Sequence, residues 1–435
     1  MTRFLPVSNP DFMPPEHLRA IQEQRFLRTV HHVYRNVPWY RDKMRDHGVS
    51  IDEIRSLDDI SKLPFIVKTD LRDTYPFGMF AVPMSEIVRL HASSGTTGKP
   101  IVVSYTQSDL DVWKRVVARA LASFGVNNGD TLQNSFGYGL FTGGLGLHGG
   151  GEKHGVSVIP ISGGNTERQI MLMRDFHATV ISCTPSYFIH LMDKAREMGI
   201  KIADLSLRIG VFGAEPWTDE MRKRIESEAG IKAYDIYGLT EIVGPGVGAE
   251  CTEQAGPHIF EDHFYPEIID PDTLQPLPDG EFGELVFTTL SKKAMPLLRY
   301  RTRDITRIIP ERCACGRTLR RIARISHRSD DMFIVRGVNV FPGQIESALL
   351  TLEGTLPNYQ IILTRDNGLD NIEVQVELVP EKFDDTLKSL EALQKTISDK
   401  IQHTIGIRVK VKLVEPNRIP KSEGKAKRVV DQRNL

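Results

Sequence analysis

Cysteine is scarce, with four residues in 435, which excludes a disulfide-built scaffold and suits a reducing compartment. Neither sign of charge is in excess: Lys plus Arg number 55 and Asp plus Glu 56. The chain therefore has no global field to draw nucleic acid or an anionic membrane, and a polyanion must be met by a local patch. No segment approaches the ~20 apolar residues that a membrane-spanning helix needs. The first twenty residues carry Pro6, Pro10, Pro14 and Pro15 among polar neighbours and no apolar stretch of the signal-peptide kind. No repeat or low-complexity tract occurs. The expectation is a cytoplasmic globular protein with neither nucleic acid nor membrane as partner.

What is present is ordinary globular usage, 40% hydrophobic and 26% charged, on a chain long enough for two or three domains. Residues 15–45 carry Leu18, Ile21, Phe26, Val30, Val33 and Tyr34 at helical spacing, a packing helix pair. Between about 87 and 246, apolar runs at 87–90, 156–159 and 179–182 alternate with helical stretches, which predicts β-α-β units and a mostly parallel sheet. From 264 the strands shorten and turn signals appear, so a β-rich subdomain is expected over about 264–325. The tail after Asp330 predicts a separate α+β unit. Ile372, Val374, Val376 and Leu378 alternate as in a half-buried strand, and Leu387, Leu390, Leu393, Ile397, Ile401 and Ile405 form one helical stripe.

The first chemical motif is Ser93-Ser94-Gly95-Thr96-Thr97-Gly98-Lys99-Pro100. Its glycines let the backbone approach an anion, and its four hydroxyls and Lys99 can donate hydrogen bonds to a triphosphate. It is not a Walker loop, because two residues separate the glycines and Pro100 stands where Ser or Thr is required. Further along come Gly213-Ala214-Glu215-Pro216, Asp235-Ile236-Tyr237-Gly238-Leu239-Thr240-Glu241, Tyr300-Arg301-Thr302-Arg303-Asp304, Arg328-Ser329-Asp330-Asp331 and Pro420-Lys421-Ser422-Glu423-Gly424-Lys425. An isolated Thr-Glu or Arg-Asp pair is ordinarily a solvated surface pair; this ordered set resembles the signature motifs of the adenylate-forming superfamily of acyl-CoA synthetases, luciferases and adenylation domains.

The middle of the chain narrows the resemblance. The blocks at 136–146, 160–169 and 336–342 look like phenylacetate-CoA ligase, and the similarity runs from about Pro38 to Arg433. It implies a large α/β domain of adenylate-forming type over 1–329, with parallel sheets flanked by helices plus the β subdomain. A small mobile α+β lid would span 330–435. It implies that ATP, magnesium and coenzyme A are used to turn an aromatic acid into an acyl-adenylate and then a thioester. Lys425, Thr240 and Glu241 would be catalytic, with Glu241 on magnesium. The nucleotide would lie against Ser93 to Lys99, Gly213, Ala214, Glu215, Pro216, Asp235, Ile236, Tyr237, Gly238, Thr240, Asp304 and Arg328. Asp330 would be the hinge, and Arg336, Gly337 and Val338 would meet coenzyme A. A homodimer is the assembly the resemblance suggests.

Eight glycines lie between Gly137 and Gly151, too many for a stable helix interior, so a backbone folded tightly on a ligand is expected there. Tyr138 and Phe141, with Gly143, Ile236 and Pro245, would wall an aryl pocket. Phenylacetate, benzoate, hydroxybenzoate and indoleacetate all remain open as the acid. Cys313-Ala314-Cys315, with Cys251 and His258 upstream, can complete a tetrahedral structural zinc site, and Cys183 reads as a core residue. Two rivals stand beside the ligase. One passes the acyl group to a carrier-protein thiol instead of coenzyme A. The other, a zinc-built nucleic-acid module, is opposed by the charge balance.

Overall fold

The structure, a computed structural model, describes residues 9–93, 100–325, 327–328, 333–335, 338–352, 355–366, 369–378, 387–415, 418–419 and 428–433. The helix pair forms as expected: α1 (Pro15–Asn36) and α2 (Pro38–Asp46) each begin on a proline, whose missing N–H is no loss in a first turn. Phe26, Val30 and Val33 of α1 are buried. After a short α3 (Lys68–Asp73), strands β1 (Arg89–Ala92) and β2 (Val102–Tyr105) pair only with each other, antiparallel. The run at 87–90 thus does not enter a parallel sheet. Val88 and Leu90 are exposed, whereas a strand of such a sheet needs both faces covered.

The main sheet has nine strands in the order β13 (Ile308–Ile309), β14 (Arg321–Ile322), β9 (His258–Ile259), β8 (Gly244–Ala249), β7 (Lys232–Leu239), β6 (Ile209–Gly213), β5 (Val180–Cys183), β3 (Thr131–Asn134) and β4 (Ser157–Ile159). From β4 to β7 all neighbours are parallel; from β7 to β13 all are antiparallel. Helices α4 (Gln107–Ser123) and α5 (Thr142–His154) cover one face, and α6 (Thr166–Asp175), α7 (Pro185–Glu197) and α8 (Asp219–Ala229) the other. Strand alternation feeds both cores: Ile209 and Val211 of β6 join the first and Phe212 the second.

A second, antiparallel sheet runs β10 (Phe264–Ile269), β11 (Gly283–Thr289), β12 (Tyr300–Thr306), β15 (His327–Arg328). The expected β subdomain over 264–325 is therefore split, because β13 and β14 complete the edge of the main sheet instead. After the hairpin β16 (Phe333–Val335) and β17 (Val338–Val340), the last unit comprises α9 (Pro342–Leu350), β18 (Thr355–Asp366), β19 (Leu369–Leu378), α10 (Leu387–Ile405), β20 (Lys410–Val414) and β21 (Val429–Asp431). Its core is its own: Ile372, Val374, Val376, Ile397, Ile401, Val409 and Val411 share one cluster.

The glycine-rich segment corrects the sequence expectation. Six of its glycines lie inside α5, a regular helix. Helix propensity is overridden by packing, since the glycines let α5 press against α4: a Cβ on Gly146 would fall 2.5 Å from the Trp113 ring and one on Gly150 2.1 Å from Val117. In an exposed helix Gly→Ala stabilises by about 1 kcal/mol. Here Gly150→Ala is expected to lower unfolding free energy by about 1–3 kcal/mol through overpacking, read by urea denaturation; a stabilised variant would contradict the seam.

Candidate active site

At the carboxyl end of β6 and β7 a cleft of about 100 Å³ is lined by Gly213, Ala214, Glu215, Pro216, Trp217, Asp235, Ile236, Tyr237, Gly238, Leu239, Asp304, Arg324, Ile325 and Arg328. Ligands of open α/β sheets bind outside such strand ends. Four separate segments of the sequence converge here. Ala214 turns with φ +70°, a left-handed conformation that a non-glycine residue adopts at some strain. The Asp304 carboxylate, buried on β12, accepts from the Tyr237 hydroxyl at 2.6 Å and from Arg328 at 3.0 Å. Burial, then the Asp304 charge, pushes the Tyr237 phenol well up.

Asp235 stands at the end of the sheet beside Glu250, which accepts from the Asp235 backbone N–H at 2.8 Å and pairs with Arg222 at 2.7 Å. Burial raises the Asp235 carboxyl above the ordinary range and Glu250 raises it further, opposed by Arg324 and Arg222.

Thr240 and Glu241 sit on the turn between β7 and β8, just past the cleft. The Thr240 hydroxyl lies 3.2 Å from that of Thr142, the first residue of α5. Glu241 is buried and its carboxylate has no hydrogen-bond or ion-pair partner among the described residues, a state suited to holding a hard cation. Behind the turn, burial draws the Lys292 ammonium down to about 8, against the pull of Asp109 and Glu241.

Tyr138, expected at the aryl ring, is locked by residues that sequence reading missed. Asn134 Nδ2 donates to its hydroxyl at 2.8 Å; the His148 Nδ1 lies 3.1 Å from it, and His148 Nε2 lies 3.0 Å from Glu152. Their only sequence signal is position, at the end of the strand before the glycine block and within the block itself. Ile236 lines the cleft and Pro245 packs against Gly146. Phe141 is half exposed at the start of α5, and Gly143 packs on Phe136.

Cys251, His258, Cys313 and Cys315 come together with their ligand atoms all within 4.8 Å. Cys251 and Cys313 sulfurs are 3.6 Å apart, and Cys315 Sγ is 3.5 Å from His258 Nε2. A tetrahedral zinc with Zn–S bonds of about 2.3 Å requires sulfur separations near 3.8 Å, so the donor set fits. His258 Nδ1 lies 3.1 Å from the Leu319 carbonyl, which fixes the tautomer that turns an Nε2 lone pair toward the sulfurs. Burial opposes ionisation of Cys315, but His258 and Arg317 lower its thiol overall. Cys183 is buried in the second core, as expected.

Ten residues expected at the nucleotide thus line one cleft: Gly213, Ala214, Glu215, Pro216, Asp235, Ile236, Tyr237, Gly238, Asp304 and Arg328. Trp217, Leu239, Arg324 and Ile325 join them without having been expected; each lies within four residues of a motif. Ser93 lies just after β1 and Val338 opens β17. Ser94, Gly95, Thr96, Thr97, Gly98, Lys99, Asp330, Arg336, Gly337 and Lys425 lie outside the described residues. Among those described, no helix is long and apolar enough to cross a membrane.

A cleft at the ends of parallel strands, walled by the buried Asp304 and its partners Tyr237 and Arg328, suits a nucleotide, and the family models place the chain among the AMP-binding enzymes. The family model for AMP-binding enzymes matches residues 48–291, and that for the AMP-binding enzyme C-terminal domain matches 337–433. The chain is 51% identical to the phenylacetate-coenzyme A ligase of Thermus thermophilus, over 97% of this chain and 98% of that one. It is 52% identical to the phenylacetate-coenzyme A ligase of Pseudomonas putida, over 96% and 94%. The crystal structure of 2-hydroxyisobutyryl-CoA ligase in the postadenylation state with 2-HIB-AMP superposes with a TM-score of 0.91 at 29% identity, covering 97% of this chain and 91% of that one. The same ligase with 2-HIB-AMP and CoA in the thioesterification state gives 0.71 at 30% identity, over 98% and 92%. The chain belongs to the phenylacetate-CoA ligase family of adenylate-forming, AMP-binding enzymes. It is an AMP-forming CoA ligase.

The Asp235 environment generates a prediction. A carboxyl raised in the folded state keeps its proton longer there than in the unfolded chain, so that stability is lost as pH rises through the folded pKa. Asp235→Asn cannot ionise; its melting temperature relative to the native chain should climb between about pH 4 and about pH 7 and level off above. A difference that stays constant with pH would contradict the assignment.

Proposed function

We propose that the chain joins phenylacetate to coenzyme A, forming phenylacetyl-CoA, AMP and diphosphate. The observation that carries this reading is the convergence of ten motif residues on one cleft, in a chain half identical to phenylacetate-CoA ligases along its length.

In the first step a carboxylate oxygen of the acid attacks the α-phosphorus of ATP, and the bond to the diphosphate leaving group breaks. A carboxylate and a triphosphate repel each other, so the protein's work is positioning and neutralising charge. Asp304, held by Tyr237 and Arg328, is suited to gripping ribose hydroxyls. The loop Ser93 to Lys99 and Lys425 supply donors to the phosphates. Glu241 would hold magnesium, which when bound spreads the developing negative charge. In the second step the thiolate of coenzyme A attacks the acyl carbon and the bond to AMP breaks. Lys425 would obstruct the thiol, so the lid turns about Asp330, withdrawing it and bringing the segment with Arg336, Gly337 and Val338 to coenzyme A. The higher similarity to the postadenylation state than to the thioesterification state supports reading the present arrangement as the one in which the adenylate is made.

Tyr138, Phe141, Gly143, Ile236 and Pro245 are assigned to the aryl ring, in a cytoplasmic enzyme that pairs as a homodimer. Cys251, His258, Cys313 and Cys315 are assigned to zinc. The metal would tie the segment that follows β8, from Cys251 to His258, to the loop between β13 and β14, a structural role remote from the reacting atoms.

Aryl acids are tested for AMP release with and without coenzyme A. Turnover should require coenzyme A and peak with phenylacetate; release without it, or a peak with benzoate, would redirect the acceptor or the acid. In the same assay Lys425→Ala should lose adenylate formation by about a hundredfold or more while sparing thiol transfer from supplied phenylacetyl-adenylate. Elemental analysis of protein purified without chelator should find zinc near one equivalent, and its absence would remove the metal assignment.

A further inference from the structure

The turn over 240–243 carries Thr240 and Glu241, and it is built unusually. The Leu239 carbonyl accepts from the N–H groups of both Ile242 and Val243 at 3.2 Å, so the turn closes on itself like a single helical coil. Its outward carbonyls then have no strand ladder and no next helical turn to enter, and a buried carbonyl must find a donor. The donors come from distant side chains. The Lys292 ammonium donates to Ile242 O at 2.7 Å and reaches Glu241 O at 3.4 Å; the Tyr105 hydroxyl donates to Val243 O at 3.0 Å. Just beyond the turn, on β8, the Trp113 indole donates to Pro245 O at 2.9 Å.

Lys292 is buried and has no carboxylate partner within ion-pair distance among the described residues. Its ammonium lies 4.8 Å from the centre of the Tyr105 ring, which stacks on Trp113 with centroids 5.1 Å apart. Cation–π attraction and carbonyl dipoles take the place of a counter-ion. The backbone beside it is anchored independently: Asp109, near the start of α4, accepts from the N–H groups of Lys293 at 2.6 Å and Ala294 at 3.0 Å. A rigid support thus aims one long cation at the back of the turn. A buried ammonium with no anion in contact is an expensive element if folding were its only purpose.

We propose that Lys292 is a positioning residue for adenylation: with Tyr105, it holds the carbonyls of residues 241–243 so that Thr240 and Glu241 face the triphosphate of ATP. The inference rests on the ligase reading above. An ammonium suits the task because one nitrogen can serve two carbonyls at once. Methionine has a similar reach and an apolar stem but donates to neither.

Lys292→Met and Tyr105→Phe are made in the full chain and followed by three measurements. These are phenylacetate-dependent ATP–pyrophosphate exchange, coenzyme A acylation from synthetic phenylacetyl-adenylate, and the affinity for ATP with manganese by titration calorimetry. Lys292→Met should lower exchange by about a hundredfold, the scale of a reacting group misplaced by about 1 Å, and weaken nucleotide binding. Acylation from the supplied adenylate should stay within about threefold of the native rate. Tyr105→Phe should give the same split, smaller, at about three- to tenfold in exchange. Equal losses in both half-reactions, or unaltered exchange and affinity, would overturn the proposal. If Lys292→Met does not fold, the Tyr105→Phe split decides. A native chain inactive in exchange with every acid would count against the ligase reading itself, a different outcome from any of these.

Discussion

A buried carboxylate is costly unless donors replace its hydration, and Asp304 is the one whose donors build the site. Its oxygens are met by the Tyr237 hydroxyl from the main sheet and by the Arg328 guanidinium from the strand that leads to the last unit. Removing an ion from water is affordable only where donors replace its hydration. The requirement therefore docks the antiparallel sheet against the end of β7 and fixes the start of the interdomain segment in the same place. The register of β12 with β15, which pairs Asp304 with Arg328, expresses that constraint in the backbone. A cleft at the strand ends follows, with Gly213 to Pro216 as one wall and Tyr237 as the other.

From that junction outward the same economy recurs: groups with no local partner are satisfied across the fold. Arg119 of α4 bridges Asp11 and Asp262, tying the first described segment to the start of the second sheet. Asp109 caps α4 while accepting from the backbone at 293 and 294. The carbonyls of the turn at 240–243 are met by Lys292 and Tyr105. Such long-range hydrogen bonds make the positions of Thr240 and Glu241 a property of the whole first domain, not of their own loop. The last unit, by contrast, has a core of its own, as a unit that packs independently does.

Much of this was legible in the sequence where the periodicity is strong. The helix pair at 15–46, the alternating strand at 369–378 and the striped helix at 387–405 follow from residue spacing alone. The cleft was legible only through short motifs whose order, not whose individual residues, is informative. Other features were hidden. Gly143 to Gly151 looked like loop because propensity counts each glycine against a helix, while the gain from close approach to Trp113 and Val117 depends on a partner that spacing does not reveal. The run at 87–90 looked like a strand of the parallel sheet because exposure of Val88 and Leu90 is decided by what covers them. Asn134, His148 and Lys292 carry no motif, and their significance appears only when the fold brings them to Tyr138 and to the turn.

The central claim is that this cleft makes an acyl-adenylate, and the fate of one oxygen atom tests it most directly. With phenylacetate labelled with heavy oxygen in its carboxyl group, attack on the α-phosphorus and later displacement by coenzyme A leave one labelled oxygen on AMP. Mass spectrometry should find that label in the AMP phosphate and none in the diphosphate. Label in the diphosphate or in inorganic phosphate, or AMP released without label, would mean that the acid is activated by another route and would contradict the account.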